Sequence, residues 1–263
     1  MNSMNLIIFI GFLCSFILYY IFSRFYMSNE KKIVIFDMDE TLGHFVEIGT
    51  LWSILKDINT KLTKNDFYKL MDLYPETLRP HILNILEYLK DMKKRGKIDR
   101  VIIFTNNQGP KSWSLLIKDY FNNKIDYHLI DKVVGAYKVG TKQIEPYRTS
   151  HEKVYDDILN AARIPKNAKI AFIDDQKHYR MLNKKVFYVV IHGYTYHLSP
   201  EQVLKRMEKN NIFNISNENL SYIYGTLKKI NHRFVVPENY NYQIFKQNGK
   251  NILKNIKNFV NNF

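Results

Sequence analysis

Residues 33–42 read IVIFDMDETL, an apolar run that ends in acidic side chains. The four residues Ile33–Phe36 have the length and the β-branched character of a buried strand. Two carboxylates, Asp37 and Asp39, follow this strand at once. A strand that is apolar throughout is typical of a parallel sheet, and ligands bind beyond the carboxyl ends of such strands. The stretch therefore predicts a buried strand with a ligand site at its end.

Two other apolar runs end in the same way. Residues 101–104 run into Thr105-Asn106-Asn107, and residues 169–173 run into Asp174-Asp175. A fourth strand is predicted at 186–191. Helical periodicity lies between these strands, at residues 79–96, 112–122 and 151–163. Strands that alternate with helices predict an α/β fold, a three-layer sandwich around a mainly parallel, Rossmann-like sheet.

The helices have recognisable ends. Arg79-Pro80 begins one and Gly96 ends it, while Ser150 is a candidate N-cap for the helix at 151–163. Residues 46–78 interrupt the alternation and read as two short inserted helices. They either shape substrate access or pack as a flank of the core.

The last part of the chain carries an apolar stripe among lysines: Ile252, Leu253, Ile256, Phe259, Val260 and Phe263. Such a stripe indicates an amphipathic helix, which either docks on the domain or lies at a membrane surface. Docking is the favoured interpretation, because it is the commoner use of such a stripe.

The composition is that of a globular protein. Hydrophobic residues make up 46% of the 263 residues, which excludes a disordered chain. The single cysteine, Cys14, excludes an intrachain disulfide and suits a reducing compartment. The net charge of +14 favours acidic partners, such as phosphorylated protein, nucleic acid or an anionic membrane face, although a solvated surface explains it equally well.

A membrane anchor is predicted before the domain. Residues 6–22, LIIFIGFLCSFILYYIF, carry no charge and are near the lower length limit for a bilayer span. No basic residue precedes them, which disfavours a cleaved signal peptide. Arg24, Lys31 and Lys32 follow, so the positive-inside tendency predicts a single-pass membrane protein with a cytoplasmic domain. With this topology, the sequons at Asn214 and Asn219 carry no glycan.

Parallel strands present their carboxyl ends along one edge of a sheet, so the polar residues that follow three of the strands are expected to meet there. They comprise four carboxylates and a hydroxyl: Asp37, Asp39, Thr105, Asp174 and Asp175. Four carboxylates in one place repel each other and are costly to desolvate. Mg²⁺ resolves this conflict, since it takes oxygen ligands and commonly binds substrate phosphate as well. The sequence therefore predicts Mg²⁺ and a phosphate-bearing substrate.

The motifs FDMDETL, VIIFTNN and IAFIDD together resemble the first, second and fourth motifs of the haloacid dehalogenase superfamily of phosphatases. The resemblance covers roughly residues 31–200. It implies the fold of that superfamily and divides the chain into a membrane anchor with its flank at 1–30, a phosphatase domain at 31–210 with the small helical insertion at 46–78, and a basic helical tail at 211–263.

The resemblance also implies the roles of the site residues. Asp37 would be the nucleophile that forms an aspartyl-phosphate. Asp39 would be the general acid and then the general base, and its backbone carbonyl would bind the metal. Thr105 would hydrogen-bond the phosphoryl group. Asp174 would hold Mg²⁺ together with Asp37, and Asp175 would support a metal-bound water or the motif lysine.

The superfamily also needs a lysine that stabilises the phosphoryl oxygens. Lys153 is preferred because it stands just before the Asp-Asp strand, and Lys142 and Lys138 are the alternatives. Three further residues are implied as substrate-binding groups: Thr41, Asn106 and Arg148.

Within the superfamily, the chain is most similar to the small phosphatases of the RNA polymerase C-terminal-domain type. The stretch from Asp37 to His44 and the LRPHILNILEYL helix at 78–89 carry this similarity. It implies a phosphoserine or phosphothreonine protein substrate, and some members have an N-terminal membrane anchor. The chain departs from them in its helical insertion and in Asp174-Asp175, where those relatives usually have Asp-Asn.

Other functions stay open at this point. IFTNNQG, residues 103–109, is similar to a stretch of the polynucleotide 3′-phosphatases, so nucleic acid is a possible but not favoured substrate. A small-molecule phosphohydrolase of the same superfamily is another alternative. A catalytically silent, membrane-anchored adaptor would have lost its nucleophile or a metal ligand, whereas this chain retains both.

Overall fold

The computed structural model describes residues 12–20, 30–210, 213, 215–230 and 242–263. The strands in this part of the chain are β1 Lys32–Phe36, β2 Arg100–Phe104, β3 Ile130–Val134, β4 Lys138–Val139, β5 Lys142–Gln143, β6 Lys169–Asp174 and β7 Val186–Val190. The α-helices are α1 at 12–20, α2 Val46–Ile58, α3 Lys64–Leu73, α4 Ile82–Lys94, α5 Lys111–Lys124, α6 Tyr155–Ala162, α7 Pro200–Asn210, α8 Asn217–Ile230 and α9 Tyr242–Asn262. Two 3₁₀ turns lie at Pro75–Thr77 and Tyr179–Met181.

Five strands form the central sheet in the order β3-β2-β1-β6-β7, and each neighbouring pair is parallel. The predicted α/β fold with a mainly parallel sheet is therefore confirmed. The chain moves outward from β1 through β2 to β3, and then returns to β6 on the other side of β1. The order thus reverses between β1 and β6, which is the position where ligands bind in open parallel sheets.

Helices cover both faces of the sheet, as expected for three layers. Along β1, Ile33 and Ile35 pack on one side, and Val34 and Phe36 on the other. The first side packs against α6. The second side packs against a thicker layer of helices, which includes α2, α3, α4, α5 and α9. The buried strands read as continuous apolar runs because each of their faces is covered.

The insertion at 46–78 forms α2 and α3, so the prediction of two helices is confirmed. A capping box between Thr63 and Asp66 begins α3, since each side chain binds the other's backbone N–H. Phe67 and Leu70 of α3 are fully buried in the core. The insertion is therefore a packed part of the domain.

The last helix docks on the domain, as favoured from the sequence. Ile256 and Phe259 of α9 are buried in the core. The amino group of Lys32, at the start of β1, donates to the Val260 carbonyl (2.8 Å), and that of Lys169 binds the Phe263 carbonyl. Cations at the carboxyl end of a helix offset its exposed carbonyls.

Two parts of the fold differ from the sequence-based expectation. Strand β3 and the β4–β5 hairpin were not predicted. The helix expected at 151–163 begins only at Tyr155, and the Ser150 side chain binds the Glu152 carbonyl instead of capping the helix. Asp157 of α6 reaches back to the Thr149 N–H (2.8 Å), so this contact ties the helix to the preceding loop.

No helix in the described part of the chain is long and apolar enough to cross a bilayer. Of the anchor predicted at 6–22, only residues 12–20 are described, and they are helical with exposed side chains. The remainder of the predicted anchor lies outside the described residues.

Candidate active site

A buried ion cluster joins the ends of β1 and β6. The amino group of Lys153 lies 2.5 Å from Asp37 Oδ1 and 2.6 Å from Asp174 Oδ2. The side chain of Lys153 is 2% exposed, and that of Asp174 1% exposed. Burial raises the pKa of Asp174, although the neighbouring Lys153 charge opposes the rise. The lysine thus partly offsets two carboxylates that have been withdrawn from water.

Three carboxylates of this edge lie close enough to hold one metal ion. Asp37, Asp174 and Asp175 each offer an oxygen, and these oxygens lie within 4.8 Å of one another. The pKa of Asp175 is raised by burial and by the Asp37 charge, so the set lacks enough positive charge of its own. Asp175 Oδ1 also accepts from the Thr41 hydroxyl (3.2 Å). An all-oxygen donor set of this kind suits a hard divalent cation.

Asp39 lies in the same pocket but has a different environment. Its Oδ2 accepts a hydrogen bond from Asn107 Nδ2 (2.8 Å), whereas its Oδ1 is buried without a partner among the described residues. Burial raises the pKa of Asp39 to about 6, the Asn107 hydrogen bond lowers it, and the Asp37 charge raises it further. The Asp39 carboxylate is not in the three-carboxylate set, and its expected metal contact through the backbone carbonyl stays a prediction.

The loop after β2 brings two polar groups to the pocket. Thr105 is 1% exposed, and its Oγ1 accepts from the Asn107 N–H (3.0 Å), which leaves the hydroxyl hydrogen available to a ligand. The Asn106 side chain also lines the pocket, and its Oδ1 is buried without a partner in the described residues. Both residues therefore face the position where a substrate would bind.

Arg79 holds the loop that carries the two aspartates. Its guanidinium is buried and donates to three backbone carbonyls: Thr41 (2.6 Å), Glu40 (2.5 Å) and His192 (2.6 Å). Glu40 adopts a positive φ of 55°, a conformation that is uncommon outside glycine. In the sequence, Arg79-Pro80 indicates the start of a helix. In the structure, the Arg79 side chain also holds this loop in place.

The candidate lysines separate clearly in space. Lys153 stands in the extended segment before α6 and reaches both carboxylates. Lys138 and Lys142 lie in the β4–β5 hairpin and do not line the pocket around Asp37.

Arg148 does not occupy the position expected of a substrate ligand. It is 1% exposed, and its guanidinium donates to the backbone carbonyls of Thr105, Gly135, His151 and Glu152. These bonds tie the loop after β2 to the segment that carries Lys153. Arg148 therefore holds these segments together and does not line the pocket, and its assignment as a substrate ligand stays a prediction.

Two cavities meet at Asp39 and Asn107. The reaction pocket contains Asp37, Lys153 and Asp174 and measures about 190 Å³. A larger groove of about 660 Å³ runs between α2 and the start of α5. Its walls are mainly apolar and include Phe45, Val46, Trp52, Trp113 and Leu116.

Sequence reasoning missed Asn107 and His178 as site residues. His178 lines the pocket with its Nε2 3.6 Å from Asp174 Oδ2, and burial lowers its pKa to about 4. The signal for Asn107 was the spacing Asn-x-Gly, which is typical of an Asx turn.

Comparisons with known proteins do not name a family, since no family model, curated protein or solved structure matches the chain.

Proposed function

We propose that the protein is a Mg²⁺-dependent phosphatase that hydrolyses phosphomonoesters, on phosphoserine or phosphothreonine of a protein, through an aspartyl-phosphate on Asp37. The observation that carries this proposal is the contact of Lys153 with both Asp37 and Asp174, in a pocket that also contains Asp39 and Thr105. A nucleophile, a cation, a proton donor and a hydroxyl thus surround one space. The resemblance to the haloacid dehalogenase superfamily supports the same roles.

The reaction proceeds in two steps. The Asp37 carboxylate attacks phosphorus, the bond from phosphorus to the leaving oxygen breaks, and Asp39 gives that oxygen a proton. Asp39 then takes a proton from water, the water oxygen attacks phosphorus, and the bond to Asp37 breaks to release phosphate. The raised pKa of Asp39, about 6, suits a group that alternates between acid and base near neutral pH.

The chain's own cations and donors prepare the pocket for a phosphate. Lys153 and the Thr105 hydroxyl stabilise the phosphoryl oxygens, with Asn106 beside them. The oxygens of Asp37, Asp174 and Asp175 fit Mg²⁺, which when bound would offset the negative charge of the nucleophile and of the phosphate.

The groove beside Asp39 supports a protein substrate. Asp39 protonates the leaving group, so the groove that shares Asp39 with the reaction pocket lies on the leaving-group side. Its volume of about 660 Å³ and its two tryptophans suit the apolar side chains of a polypeptide better than a small alcohol.

We also propose that the N-terminal apolar segment tethers the domain to the cytoplasmic face of a membrane. The proposal rests on the uncharged run at 6–22 and on the basic residues after it.

The test of the proposed activity is phosphate release by the full chain in detergent, with Mg²⁺ or with EDTA. Substrates are a phosphoserine peptide, a 3′-phosphorylated oligonucleotide and a small phosphate ester. We expect Mg²⁺-dependent release, fastest from the peptide, and a loss of at least ~10⁴-fold in Asp37→Asn because the nucleophile is gone.

Asp91→Asn, an equivalent change on an exposed position of α4, is the control and should retain full activity. Hydrolysis that persists in Asp37→Asn would refute the nucleophile, and preference for the oligonucleotide would refute the protein substrate.

A further inference from the structure

We infer that Asn107 is a positioning residue that orients the carboxylate of Asp39 for proton transfer to the leaving group. The inference rests on the proposed phosphatase function and adds a residue to it. Three hydrogen bonds of Asn107 carry the argument, and each has a separate consequence.

An Asx turn fixes which way the Asn107 amide faces. The Gly109 N–H donates to Asn107 Oδ1 (2.8 Å), and a backbone N–H can only donate. The oxygen of the amide is therefore identified, and the other amide atom must be the nitrogen. This Nδ2 lies 2.8 Å from Asp39 Oδ2 and donates to it.

The loop leaves the amide little freedom to move. A Cβ atom at position 109 would lie 2.8 Å from Asn107 Oδ1, so a larger residue there would displace the amide. The backbone N–H of Asn107 is bound to Thr105 Oγ1 (3.0 Å). Asn107 is thus held at its backbone by the phosphoryl-binding threonine and at its side chain by Gly109.

The two oxygens of Asp39 are made unequal by this contact. Oδ2 receives the amide hydrogen, whereas Oδ1 is buried without a partner in the described residues. The hydrogen bond therefore fixes the rotation of the Asp39 carboxylate at the edge of the pocket. Asn107 in this way sets the direction from which the acid meets the leaving group.

The experiment separates orientation of the acid from general damage by varying the leaving group. p-Nitrophenyl phosphate needs little protonation of its leaving oxygen, phenyl phosphate needs more, and ethyl phosphate needs most. For each substrate, kcat/KM is measured in the full-length wild type, in Asn107→Asp and in Asn107→Ala. Asn107→Asp retains an acceptor for the Gly109 N–H but replaces the donor to Asp39 with an oxygen.

We expect kcat/KM for ethyl phosphate to fall by ~10–100-fold in both variants, and for p-nitrophenyl phosphate by only a small factor. Gln108→Glu, the same amide-to-acid change on the exposed neighbour, should leave the leaving-group dependence as in the wild type. An equal loss on all three substrates, or no loss, overturns the inference while the proposed function stands. A wild type that hydrolyses none of them and no phosphoserine peptide removes both.

Two further variants keep the test decisive. Thermal unfolding shows whether each variant folds. If Asn107→Asp does not fold, Gly109→Ala replaces it, since the added Cβ displaces the Asn107 amide without removing it. Asn107→Ala is also combined with Asp39→Asn. Because Asn107 acts through Asp39, the double variant should be no slower than Asp39→Asn alone. A further loss in the double variant would contradict the assigned role.

Discussion

Arg148 and Lys153 are two buried cations in the segment between β5 and α6, five positions apart, and they make different contacts. The amino group of Lys153 contacts two carboxylates of the candidate site. The guanidinium of Arg148 donates to four backbone carbonyls, and among the described residues it has no carboxylate acceptor. Both are almost fully buried, so exposure does not distinguish them.

The difference lies in what each cation meets. A lysine amino group is a compact charge that two carboxylates can share, and it can turn toward an arriving phosphate. A guanidinium has a rigid fork of donors, which suits the fixed directions of several carbonyls. Lys153 is therefore placed to act on a ligand, whereas Arg148 holds together the loops that place it.

The largest expected effect follows from removing the charge of Lys153. In Lys153→Met, kcat should fall by ~10²–10³-fold because the phosphoryl oxygens lose their cation. The metal-free variant should also lose ~3–5 kcal/mol of unfolding free energy, since Asp37 and Asp174 lose the cation that they share. Steady-state kinetics and urea unfolding in EDTA measure the two quantities.

Lys142→Met is the matched control, because Lys142 is exposed on β5 and was the alternative motif lysine. If Lys142→Met reduced kcat more than Lys153→Met, the role assigned to Lys153 would pass to Lys142. Mg²⁺ should raise the melting temperature of Lys153→Met more than that of the wild type, since it offsets the same carboxylates.

The next largest effect concerns the stability of the fold and not the catalytic rate. Arg148→Met should lower the unfolding free energy by ~2–4 kcal/mol, because four carbonyls, that of Thr105 fully buried, lose their donors. Arg148→Lys should recover little, since one amino group cannot reach all four. The folded fraction should keep kcat within about tenfold of the wild type if Arg148 does not bind substrate.

Arg95→Met, at the exposed end of α4, controls for loss of charge and should be as stable as the wild type. A rise in KM for phosphopeptide without loss of stability in Arg148→Met would restore the sequence-based role of Arg148 as a substrate ligand.

The smallest effect concerns a base that burial keeps neutral. Burial lowers the pKa of His44 to about 4, although the Tyr196 carbonyl, 2.9 Å from its Nδ1, opposes this shift. The unfolded chain binds this proton near pH 6.5, so stability is lost as pH falls from about 6.5 to about 4. The loss should be roughly 1–3 kcal/mol and should disappear in His44→Gln.

Glu40 does not offset the protonation of His44. Its Oε1 lies 3.9 Å from His44 Nε2, but burial raises the pKa of Glu40 to about 8, so the carboxyl is neutral in this pH range. Urea unfolding at several pH values compares the wild type with His44→Gln. His128→Gln, on an exposed residue, should retain the wild-type pH dependence, and the same dependence in His44→Gln would contradict the explanation.

The sequence was sufficient for the elements that are buried on both faces. Strands β1, β2 and β6 are continuous apolar runs, so their positions and the polar residues at their ends could be predicted. Strand β3 lies at an edge of the sheet and contains Asp131 and Lys132, which break the apolar run. Its pairing with β2 comes from tertiary structure, which local pattern does not report.

The partners of polar side chains could not be predicted. The sequence shows that Arg148 is a cation, but its four carbonyl acceptors come together only when the loops fold. Likewise, Asn106 and Asn107 are neighbours of the same type, and the turn at Gly109 decides which one meets Asp39. Residue type and spacing predicted which kinds of side chain gather at this edge of the sheet, and the folded loops decide which of them are in contact.

The contacts of Lys32 and Lys169 with the end of α9 have a consequence for how the domain is presented. Both lysines stand at the first residues of their strands, so the chain enters β1 at the end of the sheet opposite Asp37. A tether attached before residue 30 would hold the domain by this far end. The five residues of β1 would then separate the pocket from the attached end of the sheet by ~16 Å. With the proposed tether, the distance of the site from the membrane would be set by this strand together with the segment that precedes it.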